Sequence, residues 1–229
     1  MRLDALKQAL VEDLGGTPSV SVLGLFSVPE SVVVTWIIMA ALVLVSSLMT
    51  RRLRRIPSKP QMVLEMGVGF LNRFCKENLG EHWRPFAPWL GTVALYIAAA
   101  NVSGLVGLAP PTRDLTVTAA LALMSMLLIY GAQFRYRGLG GGLKKFAEPS
   151  VLLLPINLME IAIRPLSLCM RLFGNVLASF VIMEMIKVLA PALVPIPFSL
   201  YFDVFDGLIQ TLVFVFLTTL FLGEAIQDE

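Results

Sequence analysis

The stretch RPLSLCMRLFGN, residues 164–175, places Arg171 inside the longest apolar tract of the chain, residues 151–189. An arginine keeps its charge at any accessible pH, and at hydrocarbon depth that charge costs about 3 kcal/mol or more unless water or a partner compensates it. A charge kept at such a cost is normally functional. The tract therefore predicts a membrane-embedded helix, and Arg171 is its first functional candidate.

Composition indicates the fold class. Of the 229 residues, 57% are hydrophobic and only 15% are charged, and the mean hydropathy is +0.80. A water-soluble globule of this size would lack the polar side chains that cover a surface. Because helices satisfy their own backbone hydrogen bonds in lipid, the chain is predicted to be an all-α integral membrane protein with a single membrane domain, residues 1–229.

Five membrane-crossing helices and one amphipathic surface helix are predicted. Residues 31–49, after an outer N-terminal segment at 1–30, are uncharged and long enough to cross about 30 Å of hydrocarbon. Residues 61–79 place apolar and charged side chains at helical spacing, which indicates a helix lying on the membrane surface or, alternatively, a short soluble helix packed on a partner. Residues 86–133 predict a hairpin of two crossing helices.

Two clusters of basic residues indicate the topology. The cluster after the first crossing helix holds Arg51, Arg52, Arg54, Arg55 and Lys59. The cluster after the third holds Arg135, Arg137, Lys144 and Lys145, around an expected glycine-rich loop at residues 138–142. The positive-inside rule places both clusters in the cytoplasm. The N-terminus is therefore predicted to lie outside and the C-terminus inside.

The last third, residues 151–222, predicts a long, steeply inclined hairpin. Residues 151–189 would form a helix of about 60 Å, twice the hydrocarbon thickness, so the segment must incline or break at Pro155 and Pro165. Each arm carries one polar stripe. On the first arm these residues are Asn157, Glu160, Arg164, Ser167, Arg171 and Asn175; on the second they are Asp203, Asp206, Gln210 and Glu224. Antiparallel packing would bring Gln210 to the depth of Arg171.

Some of these polar residues have ordinary structural explanations. Glu160 and Arg164, four residues apart, are expected to form an ion pair within their helix, and Asp206 fits either an interfacial or a functional role. Arg171 differs, because no carboxylate lies three or four residues from it in its own helix. Its counter-charge must come from elsewhere, which indicates a second protein.

The sequence motifs resemble one known family. The run from Pro155-Ile-Asn157 through residues 164–175 is similar to the hallmark of subunit a of F-type ATP synthases. Other stretches similar to that family occur in the same order, namely Thr35-Trp36, PTRDLTVT at residues 111–118, and Gln210 before an aromatic-rich run. The resemblance covers nearly the whole chain from about residue 24 onward.

The resemblance implies a stator subunit that is not itself an enzyme. Two half-channels, each reaching mid-membrane, would pass H⁺ or Na⁺ to and from a carboxylate on a ring of c subunits, coupling ion flow to rotation and ATP synthesis. The implied partners are the c ring, the b subunits of the peripheral stalk, the rest of the synthase complex and the lipid bilayer. Neither a cofactor, a metal nor a nucleic acid is expected.

The family pattern also implies roles for individual residues. Arg171 would face the ring, stabilise its ionised carboxylate and repel cations that try to pass directly between the half-channels. Gln210 would lie near Arg171 and position it, while Asn175 would line an aqueous path. Three further residues are expected to pack near the ring: Gly174, Ser167 and Arg164.

One departure from the family pattern concerns the outer half-channel. Several bacterial members carry a glutamate nine residues after the arginine and a histidine seven before the glutamine, where this chain has Phe180 and Asp203. The carboxylate would thus lie on the second arm of the hairpin, at Asp203, instead of on the first arm at position 180. We therefore expect Asp203 first and Glu184 second as outer-channel residues. Asp114 is a weaker candidate, because it could equally cap the following helix.

Two other functions are compatible with intramembrane charges. A stand-alone secondary transporter would also show proline-broken helices, although the five spans give no evident repeated halves. A passive scaffold for the peripheral stalk would tolerate loss of Arg171. The expected location is a bacterial plasma membrane, with a thylakoid or other energy-converting membrane as the alternative. Neither the choice between H⁺ and Na⁺ nor the number of c subunits can be read from this chain.

Overall fold

The computed structural model describes residues 19–22, 26–51, 59–145, 154–189 and 194–226. In these residues a two-stranded β-ribbon precedes six long helices. The helices are α1 Glu30–Thr50, α2 Lys59–Leu79, α3 Ala87–Val102 with a 3₁₀ extension at Ser103–Val106, α4 Leu115–Lys145, α5 Leu154–Leu189 and α6 Pro195–Ile226.

Five of the six helices are long and apolar enough to cross a membrane, namely all except α2. This confirms the predicted number of spans. The amphipathic helix α2 exposes Met62, Met66 and Phe70, and its position on the membrane surface stays a prediction. Hydropathy located these helices well because an apolar stretch of about 20 residues has few other uses in a protein.

The glycine-rich loop expected at residues 138–142 is wrong. Helix α4 continues to Lys145, and only Gly138 leaves the helical conformation, with φ 71° and ψ 170°. A residue with a side chain rarely adopts this backbone conformation, whereas glycine does so easily. One glycine therefore produces a kink between two helical segments, and no loop is needed.

Helix α5 runs unbroken through Pro165 for 36 residues. At 1.5 Å per residue it measures about 54 Å, well beyond a hydrocarbon thickness of about 30 Å. Pro155 lies in the first turn, where a missing N–H costs little. Of the two alternatives, a break at the prolines is absent, so inclination is how this helix would fit a bilayer.

Helix α6 ends beyond the predicted limit of residue 222 and contains a π-helical segment. It starts at Pro195, residues Leu200–Asp206 are π-helical, and regular α-helix resumes at Gly207. Glu224, two residues past that limit, therefore lies in the helix. The sequence did not predict the π-helical segment, and such segments occur frequently at functional sites.

The β-ribbon lies in the N-terminal segment that is predicted to be on the outer side, and the ribbon itself was not predicted. Strand β1, Ser19–Val22, pairs antiparallel with β2, Phe26–Pro29, in the register Ser19 to Pro29 and Val22 to Phe26. The alternating Ser-Val pattern of β1 is compatible with a strand. Residues 1–18 of the predicted outer segment lie outside the described residues.

The chain forms two compact units. The first unit comprises residues 1–42, 96–118 and 170–211, and the second comprises residues 43–95, 119–169 and 212–229. In the first unit, the hydroxyl groups of Thr35 and Tyr96 are hydrogen-bonded at 3.0 Å. In the second unit, Arg137 Nε donates a hydrogen bond of 3.0 Å to the carbonyl oxygen of Ala225.

Candidate functional site

Arg171 lies in the first unit on α5 and is half-buried. Among the residues that the structure describes, no carboxylate forms an ion pair with it and no group hydrogen-bonds to it. A half-buried guanidinium in this situation needs water or another protein to compensate its charge.

The amide of Gln210 meets the arginine motif at Asn175. Asn175 Nδ2 donates a hydrogen bond of 2.6 Å to Gln210 Oε1. This contact is one helical turn beyond Arg171, and no hydrogen bond joins Gln210 to the arginine itself. Within the first unit, α5 and α6 are thus antiparallel neighbours at this level, as their polar stripes predicted.

The other end of the Gln210 amide has no partner among the described residues. Gln210 is only 3% exposed, and its buried Nε2 donates to nothing there. A buried donor without an acceptor costs about 1–3 kcal/mol. The arrangement therefore favours an acceptor supplied by water or by a partner.

An open cavity of about 370 Å³ lies entirely within the first unit. It brings together carboxylates, cations and amides from α3, α5, α6 and the turn before α4. Its charged and amide residues are Asp203, Asp206, Arg113, Lys187, Asn101, Asn175 and Gln210. A polar cavity of this size holds several water molecules. It is the best candidate for an aqueous ion path in the part of the chain that the structure describes.

Asp203 projects into this cavity from the π-helical segment of α6. Ser199 Oγ donates a hydrogen bond of 2.6 Å to Asp203 Oδ2. The other carboxylate oxygen, Oδ1, lies so close to Gly104 that a Cβ added there would be 3.0 Å away. The carboxylate is thus held on two sides, by a hydroxyl and by the backbone of α3.

Glu184 and Asp114 are not among the residues that line the cavity. Glu184 forms an ion pair of 2.6 Å with Lys187, and it is Lys187 that reaches the cavity. Asp114 precedes α4, where Oδ1 accepts the backbone N–H of Thr116 at 2.9 Å and Oδ2 accepts the Ser31 hydroxyl at 2.7 Å. The alternative explanation for Asp114, a helix cap, is therefore observed.

Arg113 is a cavity residue that sequence reasoning missed. Its guanidinium carbon lies 3.6 Å from the centre of the Phe180 ring, a cation–π contact. Phe180 stands where several bacterial relatives of the expected family carry an acid. Arg113 belongs to the turn motif at residues 111–118, and no local pattern in the sequence indicates that it contacts a helix 67 residues later. Lys187 and Asn101 were missed for the same reason.

Arg164 belongs to the second unit, where it links α5 to the end of α6. It forms the predicted ion pair with Glu160 and a second ion pair of 3.1 Å with Glu224 Oε1. Its guanidinium carbon lies 4.9 Å from the centre of the Phe221 ring. The other two residues expected near the ring, Ser167 and Gly174, are exposed on α5.

Comparison with known proteins identifies the family. The family model described as ATP synthase A chain matches residues 32–223. The protein "ATP synthase subunit a 2" of Bradyrhizobium sp. strain BTAi1 is 38% identical over 205 residues, which are 89% of this chain and 92% of that protein. The chain belongs to the ATP synthase A chain family.

As a subunit a, the chain is the membrane stator subunit of an F-type ATP synthase. It is a multi-pass membrane protein and a non-catalytic, ion-translocating part of the complex. These findings confirm the resemblance read from the arginine motif. The matched region includes every residue that lines the cavity.

Substitution of Arg164 tests its structural role in subunit a. We expect Arg164→Ala to destabilise the subunit by about 1 kcal/mol, because both carboxylate partners are substantially exposed and such pairs are weak. For a protein of this size, this corresponds to a fall of about 2–4 °C in the unfolding temperature. Thermal unfolding of the purified complex measures it, with exposed Arg84→Ala as the control. An equal fall for both variants would contradict the role of Arg164 in linking α5 to the end of α6.

Asp114 gives a prediction with a pH dependence. Burial would raise the pKa of Asp114, but hydrogen bonds from Ser31 and Thr116 outweigh it and hold the pKa below its ordinary value of 3.8. The ionised form therefore stabilises the fold above this ordinary value. This contribution disappears as the pH falls through the lowered pKa, and it does not vary near neutrality.

The two roles considered for Asp114 are separated by Asp114→Asn and Asp114→Ala. Asparagine caps helices as well as aspartate does, whereas alanine costs about 1 kcal/mol. We expect Asp114→Asn to keep ATP-driven pumping and Asp114→Ala to lower the unfolding temperature. Thermal unfolding at neutral pH and below pH 3.8 measures the change in stability, and pumping in proteoliposomes measures the effect on transport. A loss of pumping in Asp114→Asn would place this carboxylate on the ion path.

Proposed function

We propose that this subunit a provides two half-channels that carry H⁺ to and from the carboxylates of a c ring, and that the cavity of the first unit is part of the outer half-channel. The observation that supports this most directly is the position of Arg171. It has no counter-ion among the described residues, and one turn later Asn175 lines the cavity. A charge so placed is matched to an acid that arrives from another subunit.

Contacts within the first unit, taken with the predicted topology, support an outward orientation of the cavity. Ser31, at the start of α1, hydrogen-bonds to Asp114, and the adjacent Arg113 lines the cavity. The predicted topology puts the start of α1 outside, so the cavity would open to the outer side. The C-terminus would then lie in the cytoplasm of a bacterial cell, and the membrane would be its plasma membrane.

Ion transfer in this proposal depends on two kinds of residue. Asp203, with Asp206 and cavity water, would relay protons between the outside and the ring, with Glu184 in a secondary role through its partner Lys187. Arg171 would stabilise the ionised carboxylate of the c subunit, so that the carboxylate releases its proton on arrival. Its fixed charge would also block direct passage between the half-channels.

The proposed partners are the c ring, the b subunits of the peripheral stalk and the surrounding lipid. Ser167 and Gly174 would pack near the ring, where their small exposed side chains permit a close approach of helices. Gln210, with its unsatisfied Nε2, would hold Asn175 at the inner end of the cavity. In this arrangement Gln210 supports the arginine motif through Asn175 and does not bind Arg171 directly.

Reconstitution tests the proposal against a stand-alone transporter. The purified chain alone in liposomes is expected to carry no measurable proton current under an imposed membrane potential. The complete synthase in the same liposomes is expected to pump protons when ATP is added. Proton or substrate transport by the chain alone, at a rate comparable to that of the complex, would favour the transporter.

A further inference from the structure

Two reciprocal close contacts join α3 to α6, one within the π-helical segment and one at the residue that follows it. At one contact the Asp203 carboxylate occupies the space beside Gly104, where an added Cβ would lie 3.0 Å from Oδ1 and 3.1 Å from Cγ. At the other, Asn101 packs on Gly207, where an added Cβ would lie 2.7 Å from Asn101 Cβ. Each helix thus contributes one glycine and one polar side chain, and neither glycine has room for a side chain without a shift.

The second contact is fixed by hydrogen bonds. Asn101 Nδ2 donates to the carbonyl oxygen of Gly207 at 3.1 Å, and Thr112 Oγ1 donates to Asn101 Oδ1 at 3.0 Å. Asn101 is 5% exposed and Thr112 is fully buried. Because both ends of the amide are engaged in a buried site, Asn101 holds the backbone of α6 at one position.

This position matters because the π-helical segment ends at it. Residues Leu200–Asp206 are π-helical and Gly207 follows directly. Runs of π-helix are rare and persist where surrounding contacts hold them. The segment carries Asp203, so contacts that fix its end also fix the direction in which this carboxylate points.

We propose that Gly104 is a positioning residue of the outer half-channel. Because Gly104 has no side chain, the Asp203 carboxylate can occupy the space beside it, and the Asn101–Gly207 contact keeps the π-helical segment in the position that this requires. The inference rests on the proposed role of Asp203 in ion transfer. It predicts that one methyl group at Gly104 displaces the carboxylate from Ser199 and from the cavity water. The other charged groups that line this cavity are Asp206 on α6, Arg113 before α4 and Lys187 on α5, the last of which is paired with Glu184.

The test uses the complete synthase in proteoliposomes and measures the initial rate of ATP-driven proton pumping as a function of pH. We expect Gly104→Ala to lower the rate about tenfold, since displacements of 1 Å or less at a reacting group have effects of this order, and to shift the pH profile. Gly131→Ala is the matched control, because a Cβ at Gly131 meets nothing within 4 Å. It is expected to stay within about twofold of wild type, as a methyl group in open space should.

A double-mutant cycle separates positioning from general damage. If Gly104 acts through Asp203, then Gly104→Ala in an Asp203→Asn background should change the remaining rate less than about twofold. Asn101→Ala adds no atoms and tests the other contact, and we expect it to shift the pH profile in the same direction. Its effect remains measurable if Gly104→Ala fails to assemble.

The outcomes also distinguish this inference from the proposed function. A wild-type rate and pH profile in Gly104→Ala would overturn the positioning role of Gly104. So would an equal loss of rate in the wild-type and Asp203→Asn backgrounds. Wild-type pumping by Asp203→Asn would instead overturn the role of Asp203 in ion transfer. A tenfold loss in Gly104→Ala that disappears in the Asp203→Asn background supports both the positioning role of Gly104 and the role of Asp203 in ion transfer.

Discussion

Replacing Arg171 with alanine is expected to lower ATP-driven proton pumping by about 100-fold or more. The half-buried guanidinium has no counter-ion among the described residues, so its partner in the working complex is expected to be the ring carboxylate. Removing one member of a desolvated charge pair costs about 3–5 kcal/mol, and each 1.4 kcal/mol is a factor of ten. The variant should also conduct protons passively, because the barrier between the half-channels is lost.

The measurement pairs ATP-driven pumping with passive proton uptake under a potassium diffusion potential. Arg84→Ala, which removes an exposed arginine, is the control and should leave both unchanged. Arg171→Lys should retain only part of the activity. A lysine ammonium can lose its proton, and with it the charge, in a desolvated site, whereas a guanidinium cannot. Coupled pumping by Arg171→Ala at the wild-type rate would favour the passive scaffold.

Replacing Asp203 with asparagine is expected to have the second largest effect, a loss of about 10- to 100-fold in pumping. Groups that give and take protons typically contribute about 100-fold or more to transfer steps. Cavity water and the neighbouring Asp206 would replace part of this contribution. Asparagine keeps the shape of the side chain and can still accept a hydrogen bond from the Ser199 hydroxyl. The loss would therefore measure the contribution of proton transfer and not a change in packing.

Two carboxylates serve as comparisons for Asp203. Glu81 is exposed, and Glu81→Gln should pump as wild type. Glu184→Gln should lose less than about fivefold, because Glu184 contacts the cavity only through its surface ion pair with Lys187 and such pairs contribute little. A greater loss in Glu184→Gln than in Asp203→Asn would reverse the order in which we place them on the path.

The spans, the pairing of α5 with α6 and the ion pair of Arg164 with Glu160 could be predicted, because each depends on periodicity or on spacing along one helix. The cavity could be predicted only in part. Asn175, Asp203 and Gln210 belong to polar stripes that are visible in the sequence. Arg113 and Lys187 reach the cavity through the packing of distant segments, for which a single sequence carries no local signal.

Backbone details were the least predictable. The kink at Gly138 replaced an expected loop, because glycine content alone does not distinguish one unusual residue from a flexible run. The π-helical segment of α6 has no sequence signature of its own. It lies against Gly104, and the residue that follows it contacts Asn101; both are about 100 residues earlier in the chain.

The continuous course of α5 has a mechanical consequence. Pro165 removes the N–H that would bond to the carbonyl of Ile161, yet the helix does not fold at that point. In the proposed function, a rotor that turns beside Arg171 would push sideways on this helix with every step. A helix without a hinge spreads a sideways force along its length. We therefore expect elastic deformation during rotation to accumulate in other parts of the synthase, while Arg171 stays in place.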